Sequence, residues 1–331
     1  MGSAVNTGRR PDLCLPEVLR RCFDEPDRDD SRQPKFPVME DLPLYAPPGE
    51  NSSTALIVAP EVALTRSPGV TRVMVARDEA ARVLSPSQVR TFLDCQTRWW
   101  FKYGLQLPEP KNSSLALGLA VHRALELNFR EKLETHEDLD TAGVVMIFRD
   151  AWMEQAGQTQ FSPDESQQDI RRIGERLVAN YMDEVAPQVE PAAVELDVQG
   201  EIAGVPVRGR IDLLDVDGRL IDIKTASRRP SRVSPDYAFQ LATYRQITPG
   251  ASGEVRIDSL VKTITPQIVQ QSYTVGEADL RATAVLFPLV QEAMGSGTYC
   301  PNRQSILCSQ KHCGFWQHCE REFGGTVRPA A

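Results

Sequence analysis

The sequence holds no apolar run long enough to span a bilayer. Its first ten residues, Met1 to Arg10, lack the apolar stretch of a secretory signal. These absences argue against an integral membrane protein and lead us to expect a reducing, cytoplasmic setting. In that setting clustered thiols more often bind metal than form disulfides. The glycosylation-type triplets at Asn51 and Asn112 are then chance matches. There is no internal repeat, no phosphate-binding loop of the helicase type and no redox-type Cys-x-x-Cys. An excess of positive charge is also missing: 37 Lys and Arg against 45 Asp and Glu leave a net charge of -8. That weakens the case for a whole-protein electrostatic grip on a polyanion. It does not exclude nucleic-acid chemistry, because a centre rich in acidic metal ligands can coexist with a local basic groove.

What is present suits a large core plus an appendage: 331 residues, 41% of them hydrophobic. Residues 1–80 read as an N-terminal extension, partly disordered, because Cys22 to Lys35 is polar and highly charged. Two apolar runs in it, at 55–59 and 70–75, could form a hairpin. Cys14 and Cys22 read as isolated thiols, and the extension leaves room for a protein partner. The compact part, 81–299, opens with Ser85 as helix cap, Pro86 at the first helical position and Gln88 completing a capping box. That helix is expected to carry Cys95, Trp99, Trp100 and Tyr103. Further helices are expected near 115–133, 140–156, 168–185, 235–247 and 277–293. Strands are expected near 193–199, 205–214, 219–225, 256–263 and 268–274. Residues 300–331 form a Cys-rich C-terminal segment.

The chemistry concentrates on two adjacent strands. Gly209-Arg210-Ile211-Asp212 is followed by Ile221-Asp222-Ile223-Lys224-Thr225, with Asp215-Val216-Asp217-Gly218 as the turn. Side chains alternate between strand faces, so Asp212 should lie opposite Asp222, with Lys224 on the same face. Two buried carboxylates repel unless a cation bridges them, and oxygen ligands of this kind suit Mg²⁺ or Mn²⁺. An Asp-x-Lys pair alone is as well explained by a solvated hairpin. His122, in an apolar helical stretch, reads by itself more readily as a satisfied core histidine than as a ligand. Gln240 and Tyr244 stand at i and i+4, on one helical face.

The order His, Asp, Asp-x-Lys, Gln-x-x-x-Tyr resembles the RecB-like branch of the PD-(D/E)xK nucleases. Within it, the closest pattern is that of the iron–sulfur members: CRISPR-associated RecB-like exonucleases, AddB-type nuclease domains and phage exonucleases. The matching motifs lie between about 85 and 320. The resemblance implies an α/β restriction-endonuclease-like core with a mixed central sheet, flanking helices and a C-terminal iron–sulfur clasp. It implies Asp212, Asp222, Lys224, Gln240 and Tyr244 as catalytic residues, and His122, Asp212, Asp222 and the Ile223 carbonyl as ligands of Mg²⁺ or Mn²⁺. The activity implied is exonucleolytic hydrolysis of DNA acting on single-stranded ends, with single-stranded or duplex DNA ends as the partner. A DNA-end-binding or spacer-processing subunit of a recombination or CRISPR adaptation complex is the alternative.

The same resemblance groups Cys95 with Cys308, Cys313 and Cys319 as ligands of a [4Fe–4S] cluster. The C-terminal spacing is Cys-x4-Cys-x5-Cys, two residues longer in its first gap than the family's usual pattern. Zinc stays open as the rival, with His312 and His318 adjoining two of the thiols. Cys300 is expected to be a small buried side chain. Trp99, Trp100, Phe315 and Trp316 are expected mainly to pack around the clasp.

Overall fold

The computed structural model describes residues 83–329 except 264, together with the strand backbones of Thr65–Ser67 and Val70–Arg72. All of these lie in one compact unit, Leu64–Ala331. The two N-terminal strands, β1 (Thr65–Ser67) and β2 (Val70–Arg72), pair antiparallel with each other. Of the 70–75 run, Val70–Arg72 meets Thr65–Ser67; the 55–59 run that could form a hairpin with it lies outside the described residues, as do Cys14 and Cys22.

Helix α1 (Pro86–Asp94) starts as expected, with the Ser85 hydroxyl accepting from the Gln88 amide at 3.3 Å. It does not run on through the tryptophans. Cys95 is extended (φ -158°, ψ 109°), and the chain resumes as α2 (Gln96–Trp99) and a five-residue π-turn, Trp100–Gly104. The break has a visible cause. The Asn302 side chain donates to the Asp94 carbonyl (2.8 Å), and the Asn302 amide lies 3.4 Å from the Cys95 sulfur. The helix end is therefore satisfied from the C-terminal segment rather than by another turn.

Two short strands, β3 (Lys111–Asn112) and β4 (Thr159–Gln160), pair in parallel. They flank α3 (Ser113–Thr135) and α4 (Thr141–Ala156), which are followed by α5 (Gln167–Glu184). Each of these three helices has an oxygen-bearing cap: Asn112, Asp140 and Ser166. Their apolar stripes, including Leu117, Val121, Phe129, Phe148, Leu177 and Tyr181, bury Leu213, Ile221, Ile223 and Leu260 of the sheet.

The sheet runs in chain order through β5 (Pro191–Ile202), β6 (Val205–Asp215), β7 (Leu220–Ala226), β8 (Glu254–Val261) and β9 (Gln267–Thr274). It is mixed, as expected. All neighbouring pairs are antiparallel except β7–β8, where α6 (Pro235–Ile247) makes the crossover. Helix α7 (Glu277–Gly295) packs on α6, and a short α8 (Trp316–Phe323) lies near the C-terminus. Among the described residues no helix is long and apolar enough to cross a membrane.

Candidate functional site

Strands β6 and β7 part company where the acidic residues stand. They pair only at Leu213–Ile221 and Leu214–Leu220, beyond the turn in which Gly218 takes φ +75°. That register sets Asp212 level with Asp222, but the ladder has already opened. The Ile223 amide donates to Asp212 Oδ2 at 2.7 Å, so a side-chain carboxylate replaces the missing ladder acceptor. Divergence of two strands thus fixes the Asp212 carboxylate at the sheet's centre.

Two groups of side chains form around that notch. In the first, Asp212 meets His122 from α3, with Nδ1 3.7 Å from Oδ2. Glu195 from β5 joins them, and the three residues offer ligand atoms that all lie within 4.8 Å of one another. Glu195 sits at φ +48°, a left-handed conformation rare outside glycine, asparagine and aspartate. It lies in β5 between Val194, paired with Leu213, and Leu196, paired with Ile211, and so faces Asp212. Burial and the Asp212 charge push the Glu195 carboxyl above its ordinary range.

In the second group, Asp222 is buried. Its Oδ1 accepts from Lys224 Nζ (2.7 Å) and Gln240 Nε2 (2.8 Å), and Gln240 also reaches the Tyr244 hydroxyl (3.5 Å). Burial pushes the Asp222 carboxyl up, although Lys224 draws it down. Burial works against the Lys224 ammonium too. The attraction of Asp222 and Asp212 outweighs it and holds Lys224 above the usual lysine range. Lys224 therefore stays a cation at neutral pH. Tyr244 is pushed by burial to about 12 and stays a phenol. Its ring lies against the backbone of Gly209, where an added Cβ would come within 2.2 Å of Cε1. The glycine of the Gly209-Arg210-Ile211-Asp212 motif is what lets α6 approach β6. Arg210 itself stays exposed, bound to Asp197 at 2.8 Å.

Residues 83–320 match the family model described as the PD-(D/E)XK nuclease superfamily. The chain belongs to that superfamily. No curated protein matches it. Two solved structures show similarity at low identity. One, from Eubacterium rectale, is of a protein named as a candidate exonuclease: 14% identity, TM-score 0.49, covering 69% of this chain and 87% of that one. The other is SSO0001: 11% identity, TM-score 0.38, covering 75% and 89%.

PD-(D/E)XK nucleases use divalent metals, and the donor set here suits one. Carboxylates from Glu195 and Asp212 converge with an imidazole. Nearby Asp222 Oδ2 is buried with no hydrogen-bond partner, an orphan acceptor that a cation would satisfy. Of the expected ligands, His122 and Asp212 fall in this group and Asp222 does not, while Glu195, which was not expected, joins them. Its sequence signal was slight: one of three carboxylates in a strand that also carries Asp197 and Glu201, next to the buried Ala192, Ala193 and Val194. Its backbone conformation, which turns it toward Asp212, has no signature in sequence.

In this nuclease Cys95, Cys308, Cys313 and Cys319 line one small pocket with Phe101, Phe315 and Trp316. Burial, with the neighbouring thiols adding to it, pushes Cys319 to about 11, and burial raises Cys313. Cys300 is exposed, contrary to expectation, and lies outside that pocket. Tyr299 takes the inward place instead, packing on Phe92, Trp99 and Trp100, while the Cys300 amide donates to Gln96 Oε1. Neither histidine lines the pocket. His318 packs at a tilt against Phe101 and meets Arg321 at 2.7 Å, and His312 is exposed. Trp99, Trp100 and Phe315 are buried packing groups, whereas Trp316 keeps partial exposure.

Proposed function

We propose that this PD-(D/E)XK nuclease is a divalent-metal-dependent deoxyribonuclease that degrades DNA from single-stranded ends in the cytoplasm. Its core is 81–299, and 300–331 holds a structural [4Fe–4S] cluster. The observation that carries the reading is the convergence of His122, Glu195 and Asp212 beside the Asp222–Lys224–Gln240 cluster. His122, Glu195 and Asp212 would hold an Mg²⁺ or Mn²⁺ ion, which when bound would supply acidification of a water and charge neutralisation at a phosphodiester. The protein's own part is to orient and to balance charge. Asp212 is fixed by the Ile223 amide, and Asp222 by Lys224 and Gln240, so both carboxylates meet a cation with little rearrangement. Lys224, remaining protonated, serves as a cation toward water or the phosphoryl oxygens rather than as a base. Tyr244, also protonated, supports Gln240.

Cys95, Cys308, Cys313 and Cys319 line one pocket although they come from two segments distant in sequence, which supports a shared ligand set. Four thiolates suit a [4Fe–4S] cluster and also a zinc ion, and metal analysis separates the two.

Anaerobically prepared protein should degrade end-labelled linear single strands with Mn²⁺ or Mg²⁺ and leave single-stranded circles intact. Cleavage of circles would replace the exonuclease reading with an endonuclease. No cleavage of either would count against catalysis.

A further inference from the structure

A second groove adjoins the metal site and is not needed to explain it. The groove around His122, Glu195, Asp212 and Lys224 is also lined by Ser114, Leu115 and Leu119 of α3. Ser114 and Leu115 line the next groove as well, which continues past Lys111, Phe161 and Lys102 to the loop carrying Lys311 and His312. The second groove then shares Arg98, Cys313 and Trp316 with the cysteine pocket. Ser114 precedes His122 by eight residues, so the junction of the two grooves lies about 12 Å from His122 along the helix axis at about 1.5 Å per residue.

The two grooves differ in charge. Around the metal site, Glu126, Glu154, Glu195 and Asp212 outnumber Arg123, Arg210 and Lys224. In the second groove Arg98, Lys102, Lys111 and Lys311 outnumber Glu109 and Glu165. Glu109 already neutralises part of that charge through Arg98 (2.8 Å) and Lys102 (2.7 Å), which leaves Lys111 and Lys311 as the groove's cations without a carboxylate partner among the described residues. Lys111 is held by the side-chain oxygens of Gln155 and Gln158, both at 3.0 Å. Lys311 is exposed on the loop. A basic groove is conspicuous on a chain of net charge -8.

The loop is also braced against the groove floor. A Cβ on Gly314 would meet Glu109 Cγ at 2.9 Å and Pro110 Cδ at 3.0 Å, so backbone and floor are in close contact. The cysteine segment therefore forms one wall of the groove.

We propose that this groove seats the sugar–phosphate backbone of the nucleic-acid strand on one side of the scissile bond. Lys111 and Lys311 take phosphates, and Leu115 and Leu119 give the bases an apolar margin beside the metal; both leucines are exposed on α3. The proposal rests on the nuclease reading and adds the strand's path to it. It gives the cysteine segment a second task, as a wall of the substrate track.

The test uses the full-length protein, a fluorescently labelled 20-nucleotide single strand in Ca²⁺, and hydrolysis of bis(p-nitrophenyl) phosphate in Mn²⁺. Lys311→Gln should weaken strand binding about fivefold at about 0.1 M salt and lower the salt slope by about 0.7, as expected for one lost phosphate contact on a single strand. Lys311→Arg should restore both. Hydrolysis of the small diester, too short to reach the groove, should stay within about twofold in Lys311→Gln. Unchanged strand affinity and salt slope in both Lys311→Gln and Lys111→Gln would overturn the track. Equal loss of small-diester hydrolysis and strand binding would overturn it too, showing damage at the metal site instead. Wild-type protein inert toward the small diester, yet showing the Lys311-dependent salt slope, would sink the nuclease reading and leave the track standing.

Discussion

Glu195 and Lys224 divide the work of one site between a strained backbone and a buried ion pair. Glu195 holds a positive φ that costs on the order of 1–3 kcal/mol in a non-glycine residue. The cost is explained if its carboxylate is a ligand. Glu195→Gln should then weaken Mn²⁺ binding by at least about tenfold, read by titration calorimetry on protein whose secondary structure is unchanged. Wild-type Mn²⁺ affinity in that variant would return Glu195 to a structural role. Lys224 belongs to the chemistry rather than to metal affinity. Lys224→Ala should lower the cleavage rate at least about 10²-fold while metal-free binding of a single strand is retained. A well-folded Lys224→Ala protein that cuts at the wild-type rate would remove the proposed active site.

The elements behind the site are held by a second buried polar cluster. On β8, Arg256 Nη2 donates to Asp258 Oδ2 (2.9 Å), and the Tyr181 hydroxyl of α5 donates to the same oxygen (2.8 Å). Asp258 pairs in parallel register with Ile223, so this cluster sets the strand beside the catalytic one. Burial pushes the Asp258 carboxyl above its ordinary range, although Arg256 pulls it down. Arg256→Met should cost about 3–5 kcal/mol in urea unfolding, because it leaves a buried carboxylate without its cation. The sign with pH follows. A carboxyl raised further in the folded state favours folding at low pH, and that stability is lost as pH rises through its folded pKa. Arg256→Met should thus be hurt more at neutral than at acid pH. A double change, Arg256→Met with Asp258→Leu, should recover most of the loss. Equal destabilisation at both pH values would show that packing, not charge, is at stake.

Across the whole molecule, the C-terminal segment is laced to the first helices before any metal is considered. Ser305 Oγ donates to Asp94 Oδ1 (2.6 Å), Thr97 Oγ1 to the Tyr299 carbonyl (3.1 Å), and Asn302 to the Asp94 carbonyl (2.8 Å). A cluster ligated by Cys95 and the three C-terminal thiols would close this long loop covalently and restrict the unfolded chain. The purified protein should be brown, with about four irons and four sulfides per chain. Serine at Cys95, Cys308, Cys313 or Cys319 should bleach it and lower its thermal midpoint, whereas Cys300→Ser should keep the colour. Iron analysis and visible absorbance decide this. One tightly held zinc in a colourless protein would replace the cluster but keep the clasp.

The sequence by itself determined the main helices and sheet strands and their order, but not the break of α1 at Cys95 or the short β3, β4 and α8. Oxygen-bearing caps, alternation in β5–β7 and helical periodicity in α3–α6 are local signals, set by spacing within a few residues. The same locality made Asp212, Asp222, Lys224, Gln240 and Tyr244 visible as motifs, and Gly218 as the turn between two of them. Only the tertiary structure decided what those motifs touch. The opening of the β6–β7 ladder depends on strands and helices distant in sequence, and so does the Glu195 backbone that answers it. Tyr244 stacks on Gly209, and Asn302 ends α1 at Cys95, through contacts between segments that no local pattern relates. Cys300 shows the reason most plainly. Its residue type favours burial, but the larger Tyr299 ring beside it fills the aromatic pocket and turns the thiol to solvent.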